Sequence, residues 1–464
     1  MQFNSTVFIF FFLPVVVLVH VLLHRNNLRN VWLFLASVLF FCWCSESNFF
    51  FVILYAIVNY ALVQFIANKP KQKFRLVVGV CFDVAVLFVF KYLNFAISIS
   101  NRFLGSEFAV LELFQPVGIS FVTFTAIAYI VDIYRGNAIS LKNPIEFFLY
   151  LFLFPKVAQG PIVRFSNLQN ELKNRTCSTD EFVGGVKRFV IGLAKKCLIA
   201  DVLGKSVDLV FDSLNNGIAI DTAWIGILFY MFQIYYDFSG YTDMAIGVGK
   251  MLGFTLPENF DAPYRSKSVS EFWNRWHMTL GRWFKDYIYI PLGGNRKGNI
   301  RTILNLAVVW LVTGIWHGAA FNYILWGMYY GAIIIFEKQI NKRSWYLKIP
   351  VGIKWACTFI CVMFGWVLFR ASSVEQIVLY FKTMFGMREM VGFYTSAYFF
   401  DLPGVLALIA GVLISLPKPK FLASLSDRSL IVHFIENIGI ALLFLISVLF
   451  MVNSTYNAFI YFQF

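Results

Sequence analysis

Apolar runs of near-membrane length recur along this chain, and they constrain its fold more than any other feature. They include Phe3 to Val19, Asn48 to Ala67, Leu76 to Phe95, Phe114 to Val131, Thr222 to Tyr236, Lys354 to Leu368 and Phe434 to Met451. A hydrocarbon core ~30 Å thick takes about 20 apolar residues per helix. The expected fold is therefore all-α and polytopic, with roughly a dozen transmembrane or re-entrant helices around a central pocket. Charged residues make up 14% of the 464, against about 25% in ordinary soluble chains. Lipid solvates most of such a chain. The first run lacks a basic start and a small-residue cleavage site, so it is expected to remain as an anchor.

The formal net charge of +14 invites a nucleic-acid reading, which the placement of the charges argues against. Positive residues gather in short loops: Arg25 and Arg29; Lys69, Lys71, Lys73 and Arg75; Lys338, Lys342 and Arg343; Lys418 and Lys420. That is the positive-inside pattern of a polytopic protein. The Cys44 to Asn48 linker has no Lys or Arg and is expected to face outward, which puts the N-terminus outside the cytoplasm. The seven cysteines form no framework. Cys42 and Cys44 are two apart, Cys357 and Cys361 one helical turn apart, and no pair has zinc-ligand spacing beside a histidine. No metal is expected, and the thiols are read as small buried apolar groups.

Several interruptions break the apolar pattern. His20 and His24 flank the end of the first run and are expected to snorkel at the interface. Around Phe154 to Ile162, Pro155, Gly160 and Pro161 break a run that follows Pro144. This is either a re-entrant element, tolerated where it is enclosed in protein, or a span ending before the polar Arg164 to Asp180 segment. Within Gln233 to Ala245, Asp237 and Asp243 are costly unless they face an interior and find partners. Six residues apart, they lie on different faces of a continuous helix, and Gly240 gives a place for it to break. Structural partnership is favoured over acid catalysis, with a proton-relay transporter as the rival from another class. Pro257 to Arg265 is too polar and proline-rich to span.

Ser268 to Glu271 reads as a capping box. Beyond it Trp273, Trp276, Leu280, Phe284 and Tyr287 recur at helical steps, with Arg275, Arg282 and Lys285 largely opposite. One amphipathic interfacial helix is expected, with His277 on its aromatic side. Pro291 ends it, and the loop holding Gly293, Gly294 and Gly298 fits no nucleotide-binding pattern. The apolar run Thr302 to Ile315 then delivers Trp316, His317 and Gly318, and Phe321 to Phe336 follows at once. Basic Arg301 and Lys338 flank the two runs, which predicts a hairpin with His317 at its tip. An ionisable residue at membrane depth is a functional candidate, and imidazole exchanges protons near neutrality. Gly314, Gly318, Ala319 and Ala320 leave room for a substrate.

Taken together, Phe272 to His277, Asp286 to Arg296 and Trp316 to Ala319 resemble the membrane-bound O-acyltransferase family, in particular the bacterial branch that serves alginate O-acetylation. Phe154 to Ile162, Gln233 to Ala245, Pro257 to Tyr264, Leu325 to Gly327, Leu368 to Ala371 and Phe459 to Phe464 agree with it. Two departures stand out: Tyr330 occupies a position where relatives often carry histidine, and Lys156 to Gln159 is looser than the usual pattern.

The resemblance implies that His317 is the catalytic histidine and His277 the second motif position. It implies one transmembrane domain over 1–464, with N-terminal helices in 1–135, a catalytic core in 136–345 and C-terminal helices in 346–464. Acetyl-CoA is the implied acyl donor. A polysaccharide is the implied acceptor, alginate first, served directly or through periplasmic acetyltransferase partners at the bacterial inner membrane. Peptidoglycan O-acetylation and D-alanyl transfer to teichoic acid are rivals within the same chemistry. A polysaccharide or ion transporter working through Asp237 and Asp243 is the rival outside it.

Overall fold

The computed structural model describes residues 1–43, 46–387, 396–416, 430–454 and 456, and every regular element among them is helical. Cys44, Lys418, Lys420 and the closing Phe459 to Phe464 motif lie outside the described residues. Five described helices are long and apolar enough to cross a membrane: Asn48–Asn68, Lys73–Leu104, Asn299–His317, Val351–Arg370 and Val432–Asn453. Phe8–Leu22 and Leu402–Ser415 are shorter apolar helices. The described residues form two compact units, one of residues 1–189 with 242–258, the other of 190–241 with the described residues from 259 to 456.

In the first unit Phe3, Phe8, Phe12, Phe40 and Phe154 pack their rings together. The Lys73–Leu104 helix runs well past the apolar stretch expected from Leu76 to Phe95. Oδ1 of its buried Asp83 accepts hydrogen bonds from Tyr55 at 2.6 Å and Asn59 at 3.1 Å on the neighbouring helix, while Oδ2 has no hydrogen-bond partner among the described residues. Pro144 opens a helix to Phe152, capped by Asn143, whose Oδ1 accepts from the Ile145 N–H at 3.0 Å. A short Phe154–Val157 helix follows the break at Leu153, and every residue from 147 to 163 is buried. The broken backbone is thus enclosed in protein, the condition for tolerating it at depth.

Two expectations are corrected here. His20 is buried rather than snorkelling, because Arg175 and the Met251–Leu252 turn close over it; His24 is exposed. Among the described cysteines only Cys197, in the second unit, is buried, while Cys81, Cys177 and Cys357 are exposed. Cys81 and Cys357 lie on outward faces of apolar helices, where a thiol needs no enclosing core.

Gly240 does not break its helix, which runs continuously from Ile220 to Met251. It permits a close approach instead: a Cβ there would lie 2.8 Å from the Gly192 carbonyl oxygen. In the second unit the expected hairpin forms from Asn299–His317 and Phe321–Ile340. A Cβ at Gly314 would lie 2.5 Å from the Tyr323 oxygen, and one at Gly327 2.5 Å from that of Trp310. Small residues bring the two backbones into contact near the tip, which fixes where His317 emerges.

Candidate active site

The single amphipathic helix expected after Ser268 is in fact two, Val269–Arg275 and Met278–Phe284, and His277 is the break between them. Its backbone is left-handed, with φ 45° and ψ 52°, a conformation that costs a non-glycine residue about 1–3 kcal/mol unless its surroundings impose it. Asn259 imposes it. Its carbonyl accepts from the Met278 N–H at 2.9 Å, and its Oδ1 accepts from the Thr279 N–H at 3.2 Å and hydroxyl at 2.9 Å.

The same Oδ1 lies 3.0 Å from Nδ1 of His277. Because the Thr279 N–H can only donate, that amide atom is the oxygen, so Nδ1 carries the proton and Nε2 the lone pair. Burial pushes the imidazole down to about 3, so it stays neutral. Phe238 meets it edge-on, with centroids 4.8 Å apart.

The Val269–Arg275 helix is anchored at its start. Ser268 Oγ accepts from the Glu271 N–H at 3.0 Å, as the capping box predicts. The Glu271 carboxylate reaches one residue further back than expected, to the Lys267 N–H at 2.9 Å. Glu337 supplies a second cap. It accepts from the Val269 N–H at 2.6 Å, the Ser270 N–H at 2.8 Å and the Ser270 hydroxyl at 2.7 Å.

His317 is the last helical residue before extended Gly318. Its ring is packed by Trp316 and Trp326 at 4.7 Å and Phe369 at 5.2 Å between centroids. His277 and His317, each 2% exposed, line the same cavity of about 500 Å³. Its walls include Trp273, Trp276, Trp310 and Thr313, and exposed Lys285 and Lys338 also border it. The buried indole N–H of Trp273 has no hydrogen-bond partner among the described residues. The site thus combines exposed lysines at its border, aromatic walls and two buried imidazoles. Such a site can hold an apolar or acyl group and move a proton.

The two carboxylates singled out from sequence lie outside this cavity, and each is held by a cation. Lys196 Nζ lies 2.7 Å from Asp237 and 2.6 Å from Asp201, all three buried. Arg188 meets Asp243 at 2.6 Å and Glu258 at 2.7 Å. Tyr330 is fully buried, packs against Trp273 and Trp310, and donates to the Val362 carbonyl at 3.3 Å. Sequence reasoning missed Asn259, Glu337 and Lys196. For Lys196 a signal existed: a lysine within an apolar run balances the buried carboxylates. Asn259 and Glu337 carry no local signal, since their roles depend on distant segments meeting.

The family described as MBOAT, membrane-bound O-acyltransferase family, matches residues 135–374, which include both histidines. The chain is 40% identical over 401 residues to the probable alginate O-acetylase AlgI of Pseudomonas putida, covering 84% of this chain and 81% of that one. It is 39% identical over 397 residues to the probable alginate O-acetylase AlgI of Pseudomonas aeruginosa, covering 83% and 75%. It is 34% identical over 421 residues to the peptidoglycan O-acetyltransferase of Helicobacter pylori, covering 83% and 80%.

Proposed function

The chain belongs to the membrane-bound O-acyltransferase family, and from that premise we propose that it moves acetyl groups from cytoplasmic acetyl-CoA to hydroxyls of an exported polysaccharide. Alginate or a similar exopolysaccharide is the acceptor, reached directly or through periplasmic partner proteins. The enzyme works in the bacterial inner membrane with its N-terminus outside the cytoplasm and about a dozen transmembrane or re-entrant helices. Residues 136–345 form the catalytic core.

One observation carries this reading: His277 and His317, from different elements, line one cavity that reaches exposed lysines. The acceptor hydroxyl must lose its proton as it attacks a thioester, and a neutral imidazole about 3 Å away can take it. His317 is the base. The new C–O bond forms as the C–S bond breaks, and the proton passes from His317 to the departing thiolate. Nε2 of His277, fixed by Asn259, orients the acceptor. Lys285 and Lys338 suit the phosphates of the donor as compact cations.

Replacing His317 with alanine should abolish polymer O-acetylation while the protein still inserts into the membrane. Retained acetylation would overturn the assignment. The Helicobacter relative favours one second reading, peptidoglycan as the acceptor. Mass analysis of the wall and the exopolysaccharide from a deletion strain separates the two.

A further inference from the structure

A second cavity, of about 340 Å³, lies within the first compact unit and shares no residue with the histidine cavity. His20, Arg29, Arg175 and residues 176–179 line it, closed on one side by Met251 and Leu252. Arg175 is 3% exposed, an unusual state for a guanidinium without a carboxylate partner. Its Nη1 donates to the Glu171 carbonyl at 3.2 Å, and its plane stacks 4.4 Å from the Phe254 ring centre. Its Nε and Nη2 have no hydrogen-bond partner among the described residues, and neither has Nδ1 of buried His20. Nε and Nη2 form the edge with which arginine grips an oxyanion through two parallel bonds.

The nearby charges reinforce this picture. Arg29 is committed through backbone carbonyls, Leu23 at 2.6 Å and Arg175 at 3.3 Å, so its position is set without a carboxylate. Three acids lie nearby, Glu171, Asp180 and Glu181, and none of them bonds the Arg175 guanidinium with its carboxylate. Glu171 accepts from the Thr255 N–H at 3.0 Å, and Glu181 accepts from the Ser178 N–H at 2.8 Å and hydroxyl at 3.0 Å. Burial and the neighbouring Arg29 push the Arg175 guanidinium down to about 10, against a smaller opposing pull from the Glu171 charge. The rim, residues 176–179, is exposed and opens the Thr179–Ala194 helix, whose first turn is capped by Ser178 and Glu181.

We propose that this cavity binds a phosphate group, supplied by a membrane phospholipid or by a soluble phosphate ester. Two guanidiniums and the hydroxyls of Thr176 and Thr179 on the rim suit the several oxygens of phosphate better than the two of a carboxylate.

The test uses the full chain purified in mild detergent. Native mass spectrometry reads retained phospholipid. Thermal shift after delipidation reads saturable stabilisation by inorganic phosphate and by glycerol 3-phosphate, with chloride at matched ionic strength as control. Two variants are compared, Arg175→Gln and Thr176→Asp; the second places a repelling charge on the exposed rim and leaves the core intact if the first fails to fold. One phospholipid retained per chain, and lost in Thr176→Asp, assigns the site to lipid. Stabilisation by the soluble phosphates, weakened about tenfold or more in Thr176→Asp, assigns it to a soluble ester. Binding in neither arm, or binding equal in the variants and the wild type, overturns the proposal.

Discussion

Oδ1 of Asn259 lies 3.0 Å from Nδ1 of His277 and at the same time holds the Thr279 N–H and hydroxyl. One amide oxygen thereby sets the tautomer of the imidazole and pins the left-handed turn that carries it. Removing an outer group that orients a functional histidine commonly costs about 10- to 100-fold in function. Asn259→Ala is expected to lower kcat by about that factor with a smaller change in KM, since the cavity walls stay in place. Asn259→Asp keeps an acceptor at the same position and should recover most of the rate. Acetyl-transfer kinetics on the purified variants check this. An equal loss in both would mean that Asn259 merely supports folding.

Glu337 has a comparable role at the other end of this segment. It caps Val269 and Ser270, which start the helix bearing Trp273 of the cavity wall. A carboxylate at a helix start combines charged hydrogen bonds with the helix dipole. Glu337→Gln should cost about 1–2 kcal/mol, against about 1 kcal/mol for Ser268→Ala. Melting temperatures in detergent should therefore fall further for Glu337→Gln. KM should rise with kcat little changed, because the aromatic wall shifts while the imidazoles keep their places.

The contrast between these residues and those legible beforehand has a physical basis. The hairpin with His317 at its tip could be read from sequence because apolar run length, basic flanks and small residues are all local. The capping serine at 268 was legible for the same reason. The break at His277 was not. Trp273, Trp276, Leu280 and Phe284 keep helical spacing straight through it, and only Asn259, arriving from a polar loop, diverts the backbone. Likewise Gly240 suggested a break where the structure has a close approach to Gly192. A glycine in a helix serves either purpose, and the neighbour decides which. The buried surroundings of His20 come from Arg175 and Leu252, far along the chain, so no window around it could announce them.

The neutral state of His277 carries a pH signature. Burial holds the folded imidazole at about 3, against 6.5 for the free side chain. Between those values the unfolded chain binds a proton that the folded chain refuses. The stability contributed is complete above about pH 6.5 and is lost as pH falls from there toward about 3, by at most about 1.4 kcal/mol per pH unit. His277→Asn removes the titrating group, and asparagine tolerates the left-handed backbone better than most residues. Its melting temperature is expected to decline less steeply than the wild type's as pH is lowered from about 6.5 to about 4. Parallel declines would mean that His277 is solvated and titrates normally.

Lys196 lies between Asp201 and Asp237 with its side chain fully buried. A single cation serves two carboxylates, so removing it strands two negative charges in the interior. Lys196→Met is expected to cost about 3–5 kcal/mol, the usual result of breaking a buried pair from one side. Adding Asp201→Asn and Asp237→Asn removes the stranded charges, and the triple variant should regain most of that loss in a detergent melt. None of the three lines the histidine cavity, so the triple variant should also transfer acetyl groups at close to the wild-type rate. A folded triple variant that has lost transfer would place these carboxylates in the reaction, and the purely structural role argued for Asp237 would have to be abandoned.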